Sequence, residues 1–425
     1  MRLPLSALSV LCLLSSTGCV TLPGQGKPLF GTTQESEGSS EVKNAVIDKD
    51  SEKDVYTLPD ISPGVRPATY TDEAGLWMTV DRAKNRLKTS GNLIRDPKIN
   101  SYVRALVCKL AGPYCKDIRT YVVRVPAFNA SMMPNGVMQA WTGLFLRVRN
   151  EAQLSAVLGH EIGHYLRRHS LQRMRETLSA SNFLIFVQMA AAYAGVPSAG
   201  NLASLLAQGS LASFSRDNER ESDFYGHRFL VQNGYDPREA SVVWDQIIRE
   251  DEASDEFQFR SLFMASHPQP EERSETLIRM ANKAIEKGHK GEKGRKRFLD
   301  VFLPHRKSFL LDDLRRRQYS KTLELLKMLE EDGEKPAEIM YFRGEVYRLR
   351  NKEKDKEKAL EAYKNALEAG TPPPEIHRYM GMIYSKLKQR VKMRTSYQRY
   401  LKLKPDASDA KMIKYLVETT KRAGL

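Results

Sequence analysis

Two histidines one helical turn apart constrain this 425-residue chain more than any other feature. They lie between Asn150 and His169, as His160-Glu161-Ile162-Gly163-His164. Leu154, Val157, Leu158 and Ile162 recur at helical spacing, which predicts a helix with one buried face. Asn150 stands where an N-cap belongs, and Gln153 three residues later completes a capping box. On such a helix His160 and His164 project from the same face. Two neutral imidazoles so placed hold one Zn²⁺ at about 2.0–2.1 Å from each nitrogen. Glu161 lies roughly 100° further round, within reach of a metal-held water without ligating the metal. This is the H-E-x-x-H arrangement, in which the carboxylate takes the water's proton as a peptide carbonyl is attacked.

A third ligand is needed. Six residues past His164, where one large metalloprotease class carries a histidine preceded by a glycine, stand Ser170 and Arg167, so that class is excluded. His169 is one residue out of register and is read as orienting or capping its own helix. A second helix, around Arg216 to Leu230, supplies carboxylates instead. Glu219 and Asp223 are one turn apart, so one can ligate while the other accepts a hydrogen bond from a ligand histidine. Arg220 and Glu221 read as a solvated face, whereas Phe224, Phe229 and Leu230 imply that the helix is packed.

His160-Glu-x-x-His164 followed by Glu219-x-x-x-Asp223 resembles the M48 peptidases, zinc metallopeptidases with a His, His, Glu metal site. The resemblance runs from about Thr69 to Lys287 and takes in Asn129 to Gly143 and His267 to Arg273. It implies that His160, His164 and Glu219 hold one zinc ion, with Asp223 beside them, and that Glu161 is the general base. The family's segment before the zinc helix has an Asn near its start and a Gly before a strand, as Asn129 and Gly136 do here. An extended substrate is expected to pair with Val137-Met138-Gln139-Ala140 as an edge strand. Ser266-His267-Pro268-Gln269-Pro270-Glu-Glu-Arg273 is similar to the family's His-Pro stretch ending in Arg near the cleft, and its prolines predict an extended loop. Three readings of it stay open. It is a plain surface loop, or His267 and Arg273 act on the oxygen of the tetrahedral intermediate, or His267 fills the open zinc position and holds the enzyme latent.

The first residues, Met1-Arg2 and an apolar run to Leu14, have the form of a signal peptide. Ser16-Thr17-Gly18-Cys19 resembles the lipobox of bacterial lipoproteins, with Ser16 where Leu is usual, so Cys19 is expected to carry lipid and ordinary signal cleavage is the alternative. Val20 in place of Asp favours the outer membrane over the inner. Residues 1–19 are thus a signal, and 20–66, rich in Gly, Ser, Thr, Gln, Glu and Lys, a flexible tether. Residues 67–287 form the protease domain, with a strand at Tyr121–Val125 and another at Val137–Trp141. The apolar stretch Asn182 to Ala194 is too short to cross a membrane and reads as a buried helix or a lid. Cys108 and Cys115 either close a small loop or stay unpaired.

Residues 288–300 are a basic Gly/Lys linker, and 301–425 change period. Gly344 and Tyr347 recur as Gly381 and Tyr384, and Tyr363 and Ala366 as Tyr397 and Tyr400, in a frame similar to 34-residue tetratricopeptide repeats with about three extra residues near Asn351. The fold class is therefore α+β, mainly helical: a zincin-like metalloprotease domain with a small β-sheet, then an all-α repeat solenoid. The net charge of +15 brings no nucleic-acid-binding motif with it, so it argues only for anionic surroundings. Between Glu375 and Asp406 there is no acidic residue, a run that reads as a solvated face or as a contact for anionic head groups or acidic loops. A lipid-anchored M48 domain with repeats implies a periplasmic zinc endopeptidase that clears misfolded or stalled outer-membrane proteins, the repeats docking substrate or the assembly machinery. The alternative is a repeat-based scaffold or chaperone with latent or vestigial proteolysis.

Overall fold

Thr71 and Asp96 each start a helix by accepting from backbone amides. Thr71 Oγ1 accepts from Ala74 at 3.2 Å, and Asp96 Oδ1 from Lys98 and Ile99 at 2.9 and 3.0 Å. The helices are α1 (Asp72–Thr89) and α2 (Pro97–Ala111). They belong to a computed structural model that describes residues 61–179, 214–254, 262–268 and 270–422. The expected signal peptide, Cys19, most of the tether and the apolar stretch Asn182–Ala194 lie outside these residues. Residues 61–64, read as tether from composition, pack against the domain: Ile61 is buried and its carbonyl accepts from the Tyr114 hydroxyl at 3.0 Å. After α2 a 3₁₀ turn, Gly112–Lys116, is closed by a disulfide between Cys108 and Cys115.

Among the described residues the sheet has three strands, β1 (Arg119–Val123), β2 (Ala130–Met132) and β3 (Val137–Trp141), in the order β1-β3-β2. β3 occupies the expected residues but is not an edge. It pairs in parallel with β1, Arg119 opposite Val137, and antiparallel with β2, Met132 opposite Met138. Substrate therefore cannot add to Val137–Ala140. Among the described residues the free edge is β2, a strand hidden from a propensity reading because Ala130, Ser131 and Met132 include no β-branched residue. Asn129 and Met133 bond to β3, through Trp141 N–H to Asn129 C=O at 3.1 Å and Met133 N–H to Val137 C=O at 2.8 Å. The alternation of an antiparallel ladder then aims the backbone groups of Ala130 and Met132 away from β3. Gly136 makes the hairpin turn at φ +80°, and a Cβ there would lie 2.3 Å from the Asp117 carbonyl.

Next come α3 (Thr142–Arg147), α4 (Glu151–Leu166), α5 (His169–Ser179), α6 (Arg216–Gln232), α7 (Arg238–Glu252), α8 (Leu262–Ser266) and α9 (Pro270–Glu286). Helix α4 is buried along every residue, not on one face as its periodicity suggests. Asn150 caps it, its Oδ1 accepting from Gln153 N–H at 2.9 Å, while Gln153 Oε1 reaches back to Arg149 N–H at 2.7 Å. The extended loop expected from His267 to Arg273 is much shorter. Pro270 begins α9, where its missing N–H costs nothing, so Arg273 sits in the first turn of a helix.

Residues 288–294, expected as linker, lie against the protease domain. A Cβ on Gly291 would meet the Tyr235 backbone at 2.2 Å, and Lys293 C=O accepts from Ala152 N–H at 3.0 Å, at the start of α4. Helices α10 (Arg295–Phe302), α11 (Arg306–Arg315), α12 (Tyr319–Glu331), α13 (Pro336–Arg350), α14 (Asp355–Glu368), α15 (Glu375–Lys386), α16 (Arg390–Leu403) and α17 (Ala410–Arg422) follow. In the pair α13/α14 a Cβ on Gly344 would lie 2.3 Å from the Tyr363 ring, and in α15/α16 one on Gly381 would lie 2.4 Å from the Tyr397 ring. The same glycine-to-tyrosine contact thus closes both pairs. One apolar core runs from Ile61 through α4 to Ile413. The protein is a mainly helical α+β chain.

Candidate metal centre

Three glycines decide which residues face one another at the centre. A Cβ on Gly163 of α4 would stand 3.0 Å from Ser222 Cα, and one on Gly226 of α6 would stand 3.1 Å from the His160 backbone nitrogen. Gly159 faces Gly226 Cα at 3.3 Å. Helices α4 and α6 therefore touch backbone to backbone, and Glu219, one turn nearer the start of α6 than Asp223, falls opposite both histidines. Ser215 caps α6 through Asn218 N–H at 3.2 Å.

The donors converge. His160 Nε2 and His164 Nε2 are 3.0 Å apart, and Glu219 carboxylate oxygens lie 3.4 Å from each. With bonds of about 2.0–2.1 Å the edge of a tetrahedral zinc site is about 3.3–3.4 Å, so this triangle fits such an ion. A fourth nitrogen completes it. His267 Nδ1 lies 3.3 Å from His160 Nε2 and 3.0 Å from Glu219 Oε1. His160, His164, Glu219 and His267 are all buried, and they are the group among the described residues able to hold a metal ion. Burial holds the His164 imidazole well below its usual range and lowers His267 to about 4 against the pull of Glu219, so both are neutral. At His160, by contrast, burial and Arg273 are outweighed by Asp223 and Glu219, which raise it to about 9.

Each histidine is oriented through its other nitrogen. Asp223 Oδ1 is 2.9 Å from His160 Nδ1. His164 Nδ1 is 2.9 Å from His169 Nδ1, and His169 Nε2 is 3.0 Å from Glu221 Oε2, which Arg167 also binds at 3.0 Å. One tautomer assignment satisfies the His164 relay: Glu221 accepts from His169, His169 accepts from His164, and the His164 Nε2 lone pair is left facing the centre. Phe214 stacks on His164 with ring centroids 4.0 Å apart. The sequence reading missed Glu221, taken as a solvated face, and Phe214. Glu221 stands two residues from Glu219, and only the tertiary approach of His169 distinguishes it.

Glu161 is buried, with Oε1 unbonded and 3.4 Å from His267 Nε2. Burial pushes its carboxyl up to about 8, against a hydrogen bond from the Met132 backbone amide that favours the ionised form. That bond ties the carboxylate to the outward edge of β2. Arg273 does not stand open to a substrate. Its Nε and Nη2 bond Asp223 at 2.7 and 2.6 Å, and Nη1 makes an ion contact with Glu219 at 2.7 Å. Asn129 is buried with Oδ1 unbonded, at the start of β2.

Residues 93–281 match peptidase family M48. The chain is 27% identical over 237 residues to a putative beta-barrel assembly-enhancing protease of Vibrio cholerae, covering 52% of this chain and 47% of that protein. It is 26% identical over 241 residues to the beta-barrel assembly-enhancing protease of Escherichia coli K12, covering 53% and 47%. It is also 31% identical over 154 residues to the mitochondrial metalloendopeptidase OMA1 of Schizosaccharomyces pombe, covering 36% and 43%. The chain thus spans about half the length of these relatives. His160, Glu161, His164, Glu219 and Asp223 all fall inside the matched segment, and residues 93–281 are a peptidase family M48 domain.

Proposed function

We propose that this protein is a zinc metalloendopeptidase of the bacterial envelope that cleaves misfolded or stalled envelope proteins. The observation that carries the reading is the triangle of His160, His164 and Glu219 beside the unbonded Glu161 oxygen, next to the free edge of β2. Zinc, when bound there, supplies Lewis-acid polarisation of a carbonyl and a water acidic enough to react at neutral pH. The protein's own residues do the rest. An extended peptide pairs with the outward backbone of Ala130 and with the Met132 carbonyl, the Met132 amide being held by Glu161, and this binds it with little demand on side chains. Glu161, in its ionised form, takes a proton at Oε1 from the attacking water and returns it to the departing amine. Asp223 and the His169–Glu221 pair keep the ligand tautomers, and Arg273 steadies the two carboxylates instead of meeting the oxyanion.

His267 is the latch in this reading. Its Nδ1 sits where a fourth ligand belongs, which favours a resting state closed by the protein over a role in stabilising the intermediate. The helix pairs from α13 onward are read as tetratricopeptide repeats that dock substrate or the outer-membrane assembly machinery. Cys19 is read as the lipid anchor, in the periplasm. The names of the Vibrio and Escherichia relatives support that setting, as does the Cys108–Cys115 disulfide, which suits an oxidising compartment.

The test uses the full chain. Wild type should hold about one zinc and cleave unfolded protein. Glu161→Gln should keep the metal and lose cleavage by about 10²-fold or more. His164→Ala and Glu219→Ala should lose the zinc. Full occupancy in both would end the assignment. Cys19→Ser should leave the membrane fraction, and its retention there would move the anchor elsewhere.

A further inference from the structure

Helix α7 has one flank on the metal centre and its far end on the C-terminal helices. At its middle Trp244 is buried, and the Arg273 guanidinium lies over its ring at 4.0 Å. The same ring stacks on Phe263, with centroids 5.4 Å apart and planes at 28°, and Phe263 lies 4.3 Å from the His267 ring. Arg273 in turn grips Asp223 and Glu219. One indole thus backs two side chains of the centre, Arg273 directly and His267 through Phe263, without a hydrogen bond of its own to a donor atom among the described residues.

Six residues further on, about 9 Å along the axis, the same helix is tied to other elements by charge. Glu250 takes Arg147 at 2.5 and 2.7 Å, and Arg147 also reaches Asp313 of α11 at 2.9 Å. Asp251 takes Lys321 of α12 at 2.6 Å, and Arg249 takes Glu324 of α12 at 2.8 Å. Arg147, Glu250, Asp313 and Lys321 are buried. An apolar face tolerates sliding, but charged pairs lose their alignment with small shifts. The buried bidentate Arg147–Glu250 pair, extended by Arg147 to Asp313, and the single contacts of Asp251 with Lys321 and of Arg249 with Glu324 fix where α7 stands relative to α11 and α12.

Resting on the zinc-peptidase reading above, we propose that Trp244 is a positioning residue of the metal centre and that α7 is the lever through which the C-terminal helices set Arg273 and His267. A protein segment that binds the helix pairs and shifts α11 or α12 drags Glu250 and Asp251, and α7 moves as a rigid rod with Trp244 on it. The metal centre then senses occupancy of the C-terminal helices without any contact between the bound segment and the cleft.

The experiment loads the full chain with cobalt(II), whose visible absorption reports the ligand set. Trp244→Ala should still take up cobalt, with affinity lowered about tenfold or more, as for loss of an outer partner of a ligand, and with a changed absorption band. Trp244→Phe keeps a ring against Phe263 and Arg273 and should return both towards wild type. Asp313→Asn and Lys321→Met, on other helices, should move the band in the same sense as Trp244→Ala. Variants that lower the melting temperature while keeping the wild-type band and affinity would make α7 a structural strut and overturn the lever. A wild-type chain that takes up no cobalt would defeat the metallopeptidase reading itself, a result distinct from a normal wild type with silent variants.

Discussion

At the scale of single residues, the two histidines of the candidate metal centre were legible because a helix forces side chains four apart onto one face, and one turn is all a pair of zinc ligands requires. The groups that orient them were not legible. Glu221 looks like any charge on a helix in the sequence, yet it ends the relay that aims His164. Removing it should weaken the metal without removing a ligand. Glu221→Ala is expected to lower zinc affinity about 10- to 100-fold, measured by chelator competition, with Asp223→Ala doing the same through His160. Zinc affinity unchanged in both would show that the relays are ornamental. His267 gives a sharper contrast. If it latches the centre, His267→Ala raises basal cleavage of unfolded protein, and if it stabilises the intermediate the same change lowers kcat at constant zinc. The 3.0 Å contact of Nδ1 with Glu219 leads us to expect the rise.

At the scale of elements, the zinc helix, the strand Val137–Trp141 and the paired helices beyond residue 336 could be read from periodicity. What could not be read was contact between elements. Nothing local says that β2 would take the edge from β3, or that α4 would be buried all round. Nor does the H-E-x-x-H pattern explain Gly163, since the pattern leaves that position open. Its reason is the backbone of α6, and the same holds for Gly226. Gly226→Ala places a methyl 3.1 Å from the His160 nitrogen, where no side chain can yield. The helices must then part by a few tenths of an ångström, taking Glu219 with them. We expect a loss of about 1–3 kcal/mol in stability, together with weaker zinc binding. A variant as stable as wild type and with full zinc affinity would mean that the α4–α6 contact does not set the ligand geometry.

At the scale of the whole molecule, the composition separates a protease domain from a helical tail, but the structure gives them one core and joins them through charge at α7, α11 and α12. A linker rich in Gly and Lys reads as free chain; here its glycines are what permit it to lie against Tyr235 and Glu151. The joint should show itself as acid sensitivity. Burial alone would raise the Asp313 carboxyl, but Arg147 and then Arg316 beside it hold it below the ordinary carboxylate range. Its folded pKa is thus lower than its unfolded one, near 3.9, so the unfolded chain binds the proton first. The stabilisation is fully present above the unfolded pKa and is lost as pH falls through about 4 towards the folded value. Asp313→Asn should lower the urea midpoint at neutral pH, because Arg147 keeps its charge and loses one of two partners; breaking such a buried pair costs about 3–5 kcal/mol. The variant should also lose part of the wild type's decline below about pH 4, since the group responsible no longer titrates. Midpoints of the two proteins that fall in parallel as the solution is acidified would place the acid sensitivity elsewhere and leave the Arg147–Asp313 pair as packing.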